Sequence, residues 1–279
     1  MEAFKNRRRT TVVICLLLAI IIPLVVLFSR RGNTHGYKSN FILPLYIYPS
    51  ERAWDPLYDA IITHPRTKFT VIINPYNGPG KTPQPEEEYA AAIQRLDKFP
   101  NVKRLGYVRT TYGTRNISNI ISDISTYAGW TTTGLGMHGI FFDEAPANFE
   151  DGLDDYVKRI NQAVKTAPGL LPERITVHNA GRVPDRRLAD PNTDVSVVFE
   201  GPYSSYQSRS AILASLPLDR TRYSYIIHGV PTSKKSGELR KFVNGLSTHA
   251  QYLFVTDLKD KYYEAFGPRL SDYVGAIPT

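Results

Sequence analysis

Cysteine is almost absent: the 279-residue chain has one, Cys15, and it lies inside an apolar run near the N-terminus. From residue 30 onward the chain therefore has no disulfide, no cysteine-ligated zinc and no thiol nucleophile. That part must be held by its core alone, and a domain of this size buries roughly 70–75% of its unfolded-chain surface. Several catalytic signatures are missing as well. No G-x-x-x-x-G-K-[ST] loop cradles phosphates, no G-x-S-x-G turn raises a serine, and no H-x-x-x-H pair seeds a metal site. Internal repeats are absent, and the single N-x-S/T triplet, Asn116-Ile117-Ser118, is a glycan acceptor if the domain travels a eukaryotic secretory route.

The basic excess is smaller than the formal charge of +8 suggests. Residues 1–31 hold six Lys/Arg and one Glu, a net +5, which leaves +3 for everything that follows. No Lys/Arg cluster with interleaved aromatics stands out there, so nucleic acid is not expected as a partner.

Val12 to Phe28 is apolar and uncharged, interrupted only by Pro23, and follows Lys5, Arg7, Arg8 and Arg9. Such a segment is a signal sequence or an anchor. No small-x-small cleavage site follows Phe28, and Ser29-Arg30-Arg31 comes instead, which favours an uncleaved signal-anchor over a cleaved signal peptide. The expectation is a cytoplasmic basic tail over residues 1–10, a single transmembrane helix over 11–29, a Gly-containing linker over 30–40, and an extracellular or lumenal domain over 41–279.

Within that domain, short β-branched and aromatic runs recur at the length of buried parallel strands. Eight are expected: Phe41–Tyr48, Phe69–Asn74, Val102–Arg109, His138–Asp143, Arg174–Asn179, Asp194–Glu200, Tyr223–Gly229 and Gln251–Thr256. Between them lie helical segments such as Pro85–Phe99, Asn116–Tyr127, Gly152–Ala167 and Ser236–Ser247. Eight β-α units in about 240 residues match an α/β fold of the (β/α)8 TIM-barrel class.

In such a barrel the chemistry sits where strands end. His138-Gly139-Ile140-Phe141-Phe142 runs straight into Asp143-Glu144, and Val195 to Phe199 runs into Glu200. Two carboxylates from different strands at one rim suit glycosidic-bond hydrolysis, in which one protonates the leaving oxygen and the other attacks or activates water. An acid at a strand end can also simply cap the next helix, but a carboxylate closing a buried strand needs a partner or a purpose.

The other strand ends are polar or aromatic: Tyr48, Asn74, Tyr76, Asn77, Tyr107, His178, Asn179, Tyr203, His228 and Asp257. Amides, imidazoles and rings on one rim suit a sugar, whose hydroxyls need hydrogen bonds and whose C–H face packs on aromatics. Part of the Asn74–Gly80 stretch is turn chemistry. A mixed metal site from Asp143, Glu144, Glu200, His178 and His228 is a weaker reading, because no local ligand pair exists; no metal or cofactor is expected.

Four stretches together resemble a known family. They are Ile42-Leu43-Pro44-Leu45-Tyr46-Ile47-Tyr48-Pro49, Ile73-Asn74-Pro75-Tyr76-Asn77-Gly78-Pro79-Gly80, Gly139-Ile140-Phe141-Phe142-Asp143-Glu144 and Phe199-Glu200. Over nearly the whole domain from Phe41 onward the chain is similar to the spherulin-4-like proteins classified as glycoside hydrolase family 135. The resemblance implies a (β/α)8 enzyme cleaving within α-1,4-linked N-acetylgalactosamine stretches of galactosaminogalactan, a heteropolysaccharide of filamentous fungi. It also implies that the acids matching Asp143, Glu144 and Glu200 carry the catalysis. The expected partners are the polysaccharide, the membrane through the N-terminal helix, and polysaccharide synthesis or export machinery. A non-catalytic polysaccharide-binding barrel and an endo-α-1,4-galactosaminidase acting on deacetylated polymer are the alternatives.

Overall fold

A computed structural model describes residues 36–279. The tail expected over 1–10, the transmembrane segment expected over 11–29 and the first part of the linker lie outside the described residues. Among the described residues, no helix is long and apolar enough to cross a membrane.

Eight parallel strands close into one barrel in chain order: β1 (Asn40–Leu45), β2 (Lys68–Ile73), β3 (Val102–Arg109), β4 (Gly139–Asp143), β5 (Ile175–Asn179), β6 (Val195–Pro202), β7 (Tyr223–His228) and β8 (Tyr252–Val255). β8 returns to β1 through the pairs Asn40↔Tyr252 and Phe41↔Leu253. Every expected strand is present and the differences lie at the ends. The largest is at β1, where Tyr46 to Tyr48 leave the sheet and become part of the rim.

The helices are α1 (Asp55–Thr63), α2 (Glu87–Asp97), α3 (Ile117–Gly129), α4 (Leu153–Thr166), α5 (Tyr203–Ala214), α6 (Ser236–Ser247) and α7 (Leu270–Ala276). Local chemistry sets their starts. Pro56 occupies the first turn of α1. Asn116 caps α3 by accepting from Ser118 N at 2.9 Å, so the one glycan-acceptor triplet doubles as a helix start. α4 carries Asp154 and Asp155 in its first turn and Lys165 in its last, as the helix dipole favours, and buries Tyr156, Val157, Ile160 and Val164 against the sheet.

The expected strand–helix alternation fails once. Between β5 and β6 the described chain forms only a 3-10 turn, Arg186–Leu188. Pro184 and Pro191 bracket that turn and leave no room for a longer hydrogen-bonded helix.

One further detail differs from sequence expectation. The end of the linker is fastened to the barrel: Tyr37 N donates to Ser247 Oγ at 3.0 Å and Ser39 N to Pro278 O at 2.8 Å. The compact unit thus begins at Gly36, before the expected Phe41. Gly134-Leu135-Gly136-Met137-His138-Gly139 has the G-x-G-x-x-G spacing of a dinucleotide turn, yet it leads into β4 instead of leaving a strand to open a helix. Its last glycine serves packing, since a Cβ on Gly139 would stand 2.0 Å from Ile175 O of the neighbouring strand.

Candidate active site

Strand alternation sends Asp143 and Asn179 into the barrel mouth. The preceding residues, Phe142 and His178, meet on the outer face with ring centroids 5.0 Å apart, and His178 Nε2 reaches Asn161 Oδ1 of α4 at 2.7 Å. With successive side chains on opposite faces, Asp143 and Asn179 must then face inward.

Glu200 arrives by a different route. Ser196 and Val198 line a cavity of about 540 Å³ on the outer face, beside the connection that lacks a helix, so unbroken alternation would send Glu200 outward too. A register shift between Val197 and Phe199 interrupts the β6–β7 pairing. Phe199 consequently packs outward on Tyr206 of α5, at 5.6 Å, and Glu200 turns in.

Inside, every carboxylate oxygen of the pair is held. Asn179 Nδ2 donates to Asp143 Oδ1 at 2.8 Å and to Glu200 Oε2 at 2.7 Å, while its own Oδ1 accepts from Gly181 N at 3.1 Å. Tyr107 donates to Asp143 Oδ2 at 2.9 Å and Tyr263 to Glu200 Oε1 at 2.7 Å. Burial pushes both carboxyl groups above the ordinary carboxylate range. The donors Tyr107, the Glu144 N–H and Asn179 oppose that rise at Asp143, and Tyr263 and Asn179 oppose it at Glu200.

Glu144 takes a left-handed backbone, with φ of 50°. The β3 loop clasps it there. Thr110, fully buried, donates from its hydroxyl to Asp143 O at 3.0 Å and Glu144 O at 2.8 Å, and Tyr112 N donates to Glu144 O at 2.6 Å. The resulting turn brings the Glu144 carboxylate to Arg109 Nε at 2.8 Å. Thr111 and Tyr112 are themselves left-handed, so both sides of the clasp hold non-glycine residues in a costly conformation.

The remaining expected contacts divide. Tyr48 and Tyr76 stand exposed on the β1 and β2 loops, and both hydroxyls donate to Glu86. Asn74 is buried and shapes its loop by accepting from Gly78 N at 3.2 Å, and Asn77 forms the left-handed turn beside it. His228 stacks on Tyr262 at 4.3 Å and 8°, and Tyr262 meets Tyr263 at 4.6 Å, which puts His228 two rings from Glu200.

Three further residues also stand off the pair. His178 lies on the helix side of the sheet for the reason given above. Tyr203 packs on Phe242 of α6 at 5.1 Å. Asp257 turns toward the loop after β8, where its Oδ1 would be 2.7 Å from a Cβ on Gly267. Among the described residues, no group of three or more His, Cys, Asp or Glu converges on a metal position.

Sequence reading did not assign Tyr46, Arg109, Thr110, Tyr262 and Tyr263. Tyr46 fills the floor between Tyr107 and Tyr263, with centroids 5.4 and 5.0 Å away. Burial and then the charge of Asp143 push its hydroxyl well above the usual range. Its place in the Leu45-Tyr46-Ile47-Tyr48 run was a usable signal. Tyr263 offered none, lying in an aperiodic loop seven residues beyond the expected strand end at Thr256.

Fold and site together define a (β/α)8-class barrel with a bridged carboxylate pair in its mouth. The profile of the spherulation-specific family 4 matches residues 40–277, and the chain belongs to that family. Spherulin-4 of Physarum polycephalum is 30% identical over 206 residues, covering 73% of this chain and 58% of that protein, so the chain spans little more than half the length of that relative. Sph3 of Aspergillus clavatus, solved in complex with GalNAc, is 39% identical with a TM-score of 0.84, covering 89% of this chain and all of that one. A β-glucuronidase from Ruminococcus gnavus, at 9% identity and TM-score 0.51, covers 86% of this chain and 49% of its own, and shares the fold alone.

Proposed function

We propose that this chain is an endo-acting glycoside hydrolase cleaving α-1,4-linked N-acetylgalactosamine stretches of galactosaminogalactan. The observation that carries the reading is the amide of Asn179 bridging Asp143 and Glu200. Two oxygens at 2.8 and 2.7 Å from one nitrogen can stand no more than 5.5 Å apart, and facing oxygens this close support the closely set pair of a retaining enzyme. The sugar is supported by the 39%-identical Aspergillus protein, which was solved with GalNAc.

In this reading Glu200 gives its proton to the glycosidic oxygen while ionised Asp143 attacks the anomeric carbon. The C–O bond to the leaving sugar breaks and a glycosyl ester forms on Asp143. Glu200, now ionised, takes a proton from water, whose oxygen displaces Asp143 and releases the sugar. Burial favours the protonated Glu200 that the first step requires. Glu144, paired with Arg109, orients Asp143 and accepts a substrate hydroxyl. Because the sugar carries a 2-acetamido group, a substrate-assisted variant has Asp143 orient the amide instead of attacking carbon. The apolar sequence of residues 11–29 supports a barrel tethered outside the membrane, where it meets exported polymer.

The test is release of oligosaccharide from purified galactosaminogalactan by the full-length protein, compared with Asp143→Asn and Glu200→Gln and read by mass spectrometry. N-acetylhexosamine runs released by the unmutated protein alone are expected. No release by any of the three, with all folded and still binding polymer, transfers the reading to a non-catalytic polysaccharide-binding barrel. A covalent glycosyl-Asp143 adduct, trapped with an activated fluorosugar, excludes the substrate-assisted variant.

A further inference from the structure

Tyr48 and Tyr76 are 45% and 55% exposed, so burial does not explain how their rings are held. Both are fixed by one carboxylate. Tyr48 donates to Glu86 Oε2 at 3.1 Å and Tyr76 donates to Oε1 of the same residue. Behind them the support is rigid. Tyr48 meets the buried Tyr89 edge-on at 5.5 Å, and Tyr89 in turn meets the buried Trp54 at 6.2 Å. Gly80, left-handed at φ 93°, lies so close that a Cβ there would be 3.1 Å from the Tyr76 ring.

Exposed aromatic rings locked in place bind a partner without first losing rotamer freedom, which lowers the entropic cost of association. Their apolar faces suit the C–H face of a pyranose. Glu86 uses one lone pair on each oxygen for the tyrosines and keeps the others, so its carboxylate can still accept sugar hydroxyls.

The position fits a polymer running out of the mouth. Tyr46 lies against Tyr107 and Tyr263, the two donors to the carboxylate pair. Tyr48 follows two residues later, so its Cα lies within about 7 Å of that of Tyr46. Tyr76 extends the same surface from the neighbouring β2 loop.

We propose that Tyr48, Tyr76 and Glu86 form an outer subsite that stacks a pyranose of the polysaccharide on the β1–β2 side of the mouth. The subsite rests on the hydrolase reading for its ligand class, and it makes binding depend on chain length. A short oligomer occupies the carboxylate pair alone, whereas a longer one also covers the platform.

Binding without turnover separates the two readings. Affinities of full-length Asp143→Asn for an α-1,4-linked GalNAc disaccharide and octasaccharide are measured by titration calorimetry, with and without Tyr48→Ala plus Tyr76→Ala. The expected result is a loss of about tenfold for the octasaccharide and none for the disaccharide. Phenylalanine at both positions keeps the rings but frees them, and should give an intermediate loss. Glu86→Ala should behave likewise. Equal affinities for all variants, equal losses at both lengths, or no binding of either oligomer would overturn the subsite. Length-dependent binding that needs the tyrosines, in a protein whose unmutated form releases nothing from polymer, would leave the subsite standing and remove the hydrolase.

Discussion

The hydroxyl of Tyr263, in the loop that follows β8, donates to Oε1 of Glu200 at 2.7 Å. A donor to a carboxylate favours its ionised form, so this bond restrains the rise that burial imposes on Glu200. Tyr263→Phe should therefore move the alkaline limb of the kcat/KM profile upward by about one unit. Tyr107→Phe removes the corresponding donor from Asp143 and should move the acid limb upward instead. Profiles of both variants on polymer check this, and a downward shift of either limb contradicts the assignment of acid and nucleophile.

Both carboxyl groups titrate above their unfolded values, so the native state keeps these protons to higher pH than the unfolded chain does. Their penalty is absent below the ordinary carboxylate range near pH 4. It grows as pH rises through the raised native values and is fully present above them. Glu200→Gln should consequently abolish hydrolysis while raising Tm at pH 7 by a few degrees, on the order of 1.4 kcal/mol for each unit of raised pKa. Thermal melts from pH 3 to 8 should show the gap to the unmutated protein closing at low pH.

His178 behaves in the opposite sense. Buried and held by Asn161, it titrates at about 4 instead of its ordinary value. The unfolded chain takes up its proton first, so the stability it protects is complete above about pH 6.5 and drains away as pH falls toward 4, by roughly 3 kcal/mol. Denaturant titrations of His178→Gln against the unmutated protein should differ in slope across that window and run parallel above pH 7.

The left-handed Glu144 is held by Thr110 and Tyr112. Glu144→Gly should relieve about 1 kcal/mol or more of backbone strain while costing activity. Thr110→Val, which keeps shape and removes the hydroxyl, should destabilise by about 1–2 kcal/mol. In the double variant that loss should shrink, because a glycine no longer needs the clasp. Additive denaturation free energies would show that the loop and Glu144 are not coupled.

Asp143 was legible in the sequence because it closes a regular strand: four apolar residues fix its face, and alternation does the rest. Glu200 was legible by type and not by direction. Its inward aim depends on a register slip at Val198 that the Val195–Phe199 apolar run does not reveal. His178 shows the converse error, since position at a strand end says nothing about face, and its parity with Phe142 puts it under α4. Of the tyrosines that hold the carboxylates, Tyr107 was legible because it lies near the end of β3, whereas Tyr263 comes from a loop, where no period marks it. The missing helix between β5 and β6 was hidden because a strand count alone satisfies the barrel.

Ser39 N donates to Pro278 O, so the two end segments of the barrel unit lie one hydrogen bond apart. They meet at the end where β1 begins, whereas Asp143, Asn179 and Glu200 sit where their strands finish. Such a ring has no obligatory starting point. Joining these ends with a short linker and opening the chain at the exposed Pro65–Arg66 turn, between α1 and β2 on the face away from the mouth, should yield a circular permutant with the same carboxylate geometry, in which the order of synthesis of the strands has changed and the mouth has not.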